Sequence, residues 1–126
     1  MARRALVVVP DLFFAARIAE TARSLEIELC EAPPHRALEV ARAERPDLVI
    51  LDLEAPGDPV GLVRLLEAEP TLSATSLVGF CSHVNVVLRR QALEAGADVV
   101  LPRSALSAKL PRLLAPERLP RSEPGC

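Results

Sequence analysis

Tryptophan and tyrosine are absent from the 126-residue chain, and phenylalanine occurs only three times. Without those rings there is no material for an aromatic cage or a base-stacking platform. Cysteine is sparse: Cys30, Cys81 and Cys126 are far apart and odd in number. They have no metal-ligand spacing and make no disulfide framework, so they read as reduced thiols, two of them in or near a core. Excess positive charge is also missing. The formal net charge is −2, which leaves no electrostatic footprint for nucleic acid. No apolar run approaches the length needed to cross a membrane. The start, MARRALVVVPD, is basic and then apolar, but its apolar run is too short for a signal peptide and Asp11 interrupts it. A cytoplasmic protein is expected.

What the chain does contain is apolar. Half of it is hydrophobic, which argues against disorder and suffices for one domain with a buried core. Short β-branched runs alternate with helical periodicity along its length. Strands are predicted at 5–9, 27–32, 48–53, 76–82 and 98–102. Helices are predicted at 11–25, 35–45, 58–69, 83–96 and 104–114. In the first helix Asp11 is placed to cap the start, and Leu12, Ala15, Ala16, Ala19, Ala22 and Leu25 carry the helical spacing. Ser82 is placed to cap the fourth helix, which Gly96 closes. Pro111 is incompatible with the middle of a helix, so the last helix is expected to be short or kinked, with Ser107 as its cap and Pro111 in its first turn. A domain over 1–114 and a flexible, proline-rich tail over 115–126 complete the expected organisation.

Strict strand–helix alternation implies a parallel sheet with helices on both faces, an α/β doubly wound fold. Five units suit the flavodoxin-like order 2-1-3-4-5. In that order functional groups collect at the C-terminal ends of strands one and three, where the chain changes direction. Asp52 ends the third strand, in PDLVILDLEAPGD, and Asp11 lies just past the first. A strand that is apolar throughout and then stops on a carboxylate either caps itself locally or presents that carboxylate at a site. The placement favours the site.

PDLVILDLEAPG and LEAGADVVLPRS resemble the corresponding stretches of response-regulator receiver (CheY-like) domains, the phosphoacceptor modules of two-component signalling. The resemblance spans roughly residues 4–114, in order and spacing. It implies that Asp52 stands at the phosphoacceptor position. A magnesium ion would be held by that aspartate and an acidic pair after the first strand. A hydroxyl closes the fourth strand, a lysine follows the fifth, and an aromatic switch residue lies on the fifth.

This chain departs from that pattern. The acidic pair falls on Val9 and Pro10, leaving Asp11 and Asp52 as the candidate metal ligands. The hydroxyl position falls on Cys81, with Ser82 beside it. Arg103 takes the lysine position, Ser104 the following proline, and Val100 the aromatic. Arginine is a planar fork where lysine is a point charge, and Arg103 is placed to clamp Asp52 directly. The resemblance therefore implies a single-domain pseudo-receiver, not an enzyme, acting through a protein partner. Exposed apolar residues among Val84, Val86, Val87 and Leu88 are candidates for the partner surface or for a homodimer through the fourth helix. The alternative is a working phosphoacceptor, modified on Asp52 by a histidine kinase. A flavin- or nucleotide-binding protein or small enzyme on the same fold would want a Gly- or Ser/Thr-rich loop where VVVPDLFF stands.

Overall fold

In a computed structural model, residues 3–114 are described, and the predicted tail and Cys126 lie outside them. The sheet is built from β1 (Arg4–Val8), β2 (Glu28–Glu31), β3 (Leu48–Asp52), β4 (Ser76–Cys81) and β5 (Val99–Pro102). All neighbours are parallel, in the order β2-β1-β3-β4-β5. This is the expected doubly wound sheet. Its helices are α1 (Leu12–Ser24), α2 (Ala37–Glu44), α3 (Pro59–Ala68), α4 (Val86–Ala95) and α5 (Arg103–Leu113). Single 3-10 turns at Pro34–Arg36 and Pro70–Leu72 flank α2 and α3.

β3 and β4 are buried from end to end because helices cover both of their faces. Strand alternation divides the core in two. Leu6, Val8, Val49, Leu51, Leu77 and Cys81 pack toward α2, α3 and α4. Ala5, Val7, Leu48, Ile50, Val78 and Phe80 pack toward α1 and α5, joined by Val9. Asp52 follows Leu48 and Ile50 in parity, and it pairs in register with Phe80. It therefore ends β3 on the α1–α5 side, where the core opens to the surface.

Three expectations need correcting. The buried stripe of α1 is Ala15, Ile18 and Ala22, whereas Leu12 and Leu25 are exposed. Leu12 lies in the first turn, and Leu25 caps the last. The fourth helix starts at Val86, and its cap is Asn85, whose side chain accepts from the Leu88 N–H at 3.3 Å. Ser82 cannot take that role because residues 82–85 form a turn, closed by an Asn85 N–H bond to the Ser82 carbonyl at 3.0 Å. Gly96 does end the helix, at φ 123°.

The third correction is α5. It begins at Arg103 and continues through Pro111 to Leu113. An internal proline costs about 3 kcal/mol in a helix. Against this, Leu106, Leu110, Leu113 and Leu114 are all buried. Each contributes roughly 1.5–3 kcal/mol, so the apolar face outweighs the lost hydrogen bond, and Pro111 points to solvent.

Candidate functional site at the C-terminal edge of the sheet

Asp52 is brought to the sheet edge by β3 and is only 6% exposed. A buried carboxylate needs partners. Its Oδ1 accepts from the Glu54 N–H at 2.9 Å, a local turn bond that fixes the chain as it leaves β3. The same oxygen accepts from Arg103 Nη2 at 3.2 Å. β5 ends at Pro102, and α5 starts on Arg103 itself. The two sequence-predicted residues, 51 positions apart, are thus joined by strand topology.

Arg103 is held on several sides. Its guanidinium carbon lies 4.9 Å from the Phe14 ring centroid and 5.0 Å from that of Phe80. The two rings stack on one another at 5.7 Å. A cation over aromatic faces gains attraction that grows as water is excluded. Glu54 Oε1 lies 3.7 Å from Arg103 Nη2 and accepts from the Ser82 N–H at 2.9 Å. Its Oε2 accepts from Asn85 Nδ2 at 3.3 Å. Glu54 therefore ties the loop after β3 to the loop after β4 and to the start of α5.

Glu54, Asn85 and Phe80 were not singled out for this role by the sequence. Glu54 had a faint signal, an acidic residue two positions beyond a strand-terminal aspartate. The aromatic contacts of Arg103 had none, because they join β4, α1 and α5. Of the adjacent phenylalanines, Phe14 turns to the site mouth and Phe13 stands 90% exposed.

The remaining sequence candidates separate. Asp11 caps α1, accepting at Oδ1 from the N–H groups of Phe13 at 2.9 Å and Phe14 at 3.3 Å, in an exposed position. Val84, Val86 and Val87 are exposed. Leu88 is not part of that surface: it is half-buried and packs against the α2–α4 core. Val100 is buried in the same core.

Cys81 is buried beside the site. Burial, and then the Glu54 carboxylate, push its thiol above the ordinary thiol range. Cys30 is raised too, by burial first and then by Glu44. The thiolate is the reactive form. A raised value means that near pH 8 the folded protein holds even less thiolate than a free cysteine, and the fraction grows only as pH climbs past the usual thiol range. Cys81 is thus expected to resist iodoacetamide at pH 8 in the folded protein and to react promptly in denaturant. Rapid labelling of folded Cys81, read by peptide mass spectrometry, would contradict this placement.

The residues present do not fit a hard dication. Val9 is core, Pro10 has no side-chain donor, and Asp11 is committed to its helix. Arg103 already occupies Asp52 Oδ1. Among the described residues no three His, Cys, Asp or Glu side chains gather as a metal site. Magnesium wants several oxygen ligands in near-octahedral geometry, and a guanidinium at that oxygen opposes it.

The fold and the position of Asp52 define a doubly wound α/β protein with its polar cluster at the topological switch point. No family model matches the chain. The transcriptional regulatory protein CseB of Streptomyces avermitilis is 44% identical over 62 residues, covering 48% of this chain and 25% of that protein. The chain thus spans about a quarter of the length of the curated relatives it matches. Among solved structures, the chemotaxis response regulator CheY4 of Vibrio cholerae superposes with a TM-score of 0.81 at 17% identity, over 90% of this chain and 97% of that one. The receiver domain of the sensor histidine kinase PA1611 from Pseudomonas aeruginosa, which has a magnesium ion coordinated in its active-site cleft, gives 0.75 at 19% identity, over 90% and 98%. This chain has the fold of a response-regulator receiver domain.

Proposed function

We propose that the chain is a signalling receiver module of the degenerate kind, in which an internal cation takes the place of phosphorylation at Asp52. The observation that carries this reading is the bond from Arg103 to Asp52 Oδ1, at a sheet edge where the metal-binding carboxylates are replaced by Val9 and Pro10. A charge-assisted bond of this kind needs no phosphoryl donor to persist. Glu54 extends it to the Ser82–Asn85 turn, so the loop leading into α4 is fixed by the same cluster. Val84, Val86 and Val87 stand exposed on and beside that loop. They are the surface we assign to a protein partner, which includes a histidine kinase or a second copy of the chain meeting it through α4. No catalytic role is assigned to the cluster. Among the described residues no helix is long and apolar enough to cross a membrane, and nothing in this reading calls for one.

Exposure to a small-molecule phosphodonor with magnesium tests the reading. Intact mass is expected to show no phosphoryl adduct. Amide signals at Asp52, Ser82 and Arg103 are expected to stay in place when magnesium and beryllofluoride are added. A covalent adduct that disappears in Asp52→Asn would establish a working phosphoacceptor instead.

A further inference from the structure

A cavity of about 890 Å³ lies at the C-terminal edge of the sheet, between the Pro34–Arg36 turn and α2 on one side and the β3–α3 loop and α3 on the other. Small-molecule sites commonly enclose about 300–1,000 Å³. Val8, Leu51 and Leu62 form the floor and belong to the α2–α4 core. Arg103, Phe14 and Ser82 take no part in the lining. Leu38, Pro56 and Leu65 form the walls, and Leu65 is left 55% exposed. These walls are stiff. Pro10, Pro34, Pro56 and Pro59 all border the cavity, and each fixes its own φ. Asp58 Oδ1 accepts from the Gly61 N–H at 3.0 Å, which pins the loop to the start of α3. A site formed in advance loses less freedom when it is filled.

Asp52 and Asp58 line the cavity, His35 stands at its exposed rim, and among the described residues no lysine or arginine lines it. Arg103 and the Glu54 N–H both bond Asp52 through Oδ1, which leaves Oδ2 without a hydrogen-bond partner among the described residues. None of their fully enclosed side-chain oxygens lacks a partner, so Oδ2 opens to accessible space, and this cavity is space that Asp52 borders. We infer that the cavity binds a small organic cation, a protonated amine carried on an apolar body. The ammonium donates to Asp52 Oδ2 in a charge-assisted bond, and the Asp58 carboxylate adds negative potential. The apolar body covers Leu51, Leu62 and Leu65. A hydrated metal ion gains nothing from such walls, whereas an amine needs no octahedral shell of oxygens. An occupant shares Asp52 with Arg103, which links the cavity to the Glu54 cluster and the loop before α4. The inference rests on the reading of Asp52 as unmodified, since a phosphoryl group would take the anchoring carboxylate. The two fail separately: an adduct is read by mass, and amine binding by reversible shifts of the unmodified protein.

The test is a titration of the amide spectrum with three probes of similar shape, at constant ionic strength: 2-phenylethylammonium, 2-phenylethanol and 3-phenylpropanoate. Saturable shifts with the ammonium are expected at Leu38, Ala55, Gly61 and Leu65, and at Arg103 with the same midpoint. The alcohol is expected to bind the same residues about tenfold more weakly, a loss on the scale of one charged hydrogen bond, and the carboxylate to give no saturable shift. Asp52→Asn is expected to bring the ammonium down to the affinity of the alcohol and to leave the alcohol unchanged. Asp58→Asn retains an oxygen for the α3 cap and is expected to weaken the ammonium about threefold, again without effect on the alcohol. Glu94→Gln, at an exposed position on α4 outside the cavity, is the charge-matched control and is expected to change neither. Ammonium shifts that never saturate or that fall outside the cavity would overturn the inference. So would equal affinities for the three probes, or an Asp52→Asn variant, folded by its amide spectrum, that binds the ammonium as the wild type does.

Discussion

Arg103→Ala is expected to destabilise the domain by about 2–3 kcal/mol, well beyond the usual loss for a surface arginine. The reason is what it leaves behind. Asp52 is buried, and its one cationic partner within salt-bridge distance among the described residues would be gone. Orphaning a buried charge typically costs roughly 3–5 kcal/mol. The figure is reduced here because the Glu54 N–H still bonds Asp52 and the Arg103 side chain is partly open to water. Asp52→Asn in the Arg103→Ala background is expected to recover most of the loss, since no uncompensated charge then remains. Urea denaturation of the two single variants and the double variant closes the cycle, with a coupling of about 1–3 kcal/mol between the positions. A single Arg103→Ala loss within about 0.5 kcal/mol of wild type would show that the pair does not hold the site together.

Phe80→Ala is expected to cost more, about 3–5 kcal/mol. Phe80 is fully buried in the middle layer of the sheet, at the register position opposite Asp52. Its removal opens a cavity between α1 and α5, against which the Phe14 ring packs. Half of the aromatic support beneath Arg103 is lost as well. Domains carry about 5–15 kcal/mol in total, so the alanine loss takes a large share of it, and the gentler Phe80→Leu serves as the second variant. Phe80→Leu keeps most of the volume and is expected to lose only about 1 kcal/mol. In that variant the Arg103 side-chain signals are expected to shift while the amides of β2, on the far side of the sheet, stay fixed. Equal stability of Phe80→Leu and wild type, with unmoved Arg103 signals, would mean that the rings do not position the guanidinium.

The architecture was legible because it rests on local signals. LVVV and LVILD are too apolar for any position but the middle of a covered sheet. Alternation of strand and helix then leaves few topologies. The placement of Asp52 followed from that order, and the Asp11 cap from its position before the first helical residue. Arg103 was recognisable because the resemblance fixed its place after β5. Misreadings arose where several weak local preferences competed. Ser82 and Asn85 are both good caps, and the choice fell to Asn85 because residues 82–85 form a turn that places Asn85, not Ser82, against the first helical residue. Pro111 obeyed its local rule less strongly than four buried leucines opposed it.

The sequence by itself thus determined the sheet, its order and the edge at which the site lies, since hydrophobic period and chain connectivity are properties of the chain. The resemblance had already set Arg103 against Asp52, 51 residues away; only the tertiary structure decided what surrounds that pair. The supporting rings come from α1 and β4, and Glu54 reaches across two loops. Those contacts depend on distances between elements, set by how the core packs, and no spacing along the chain records them.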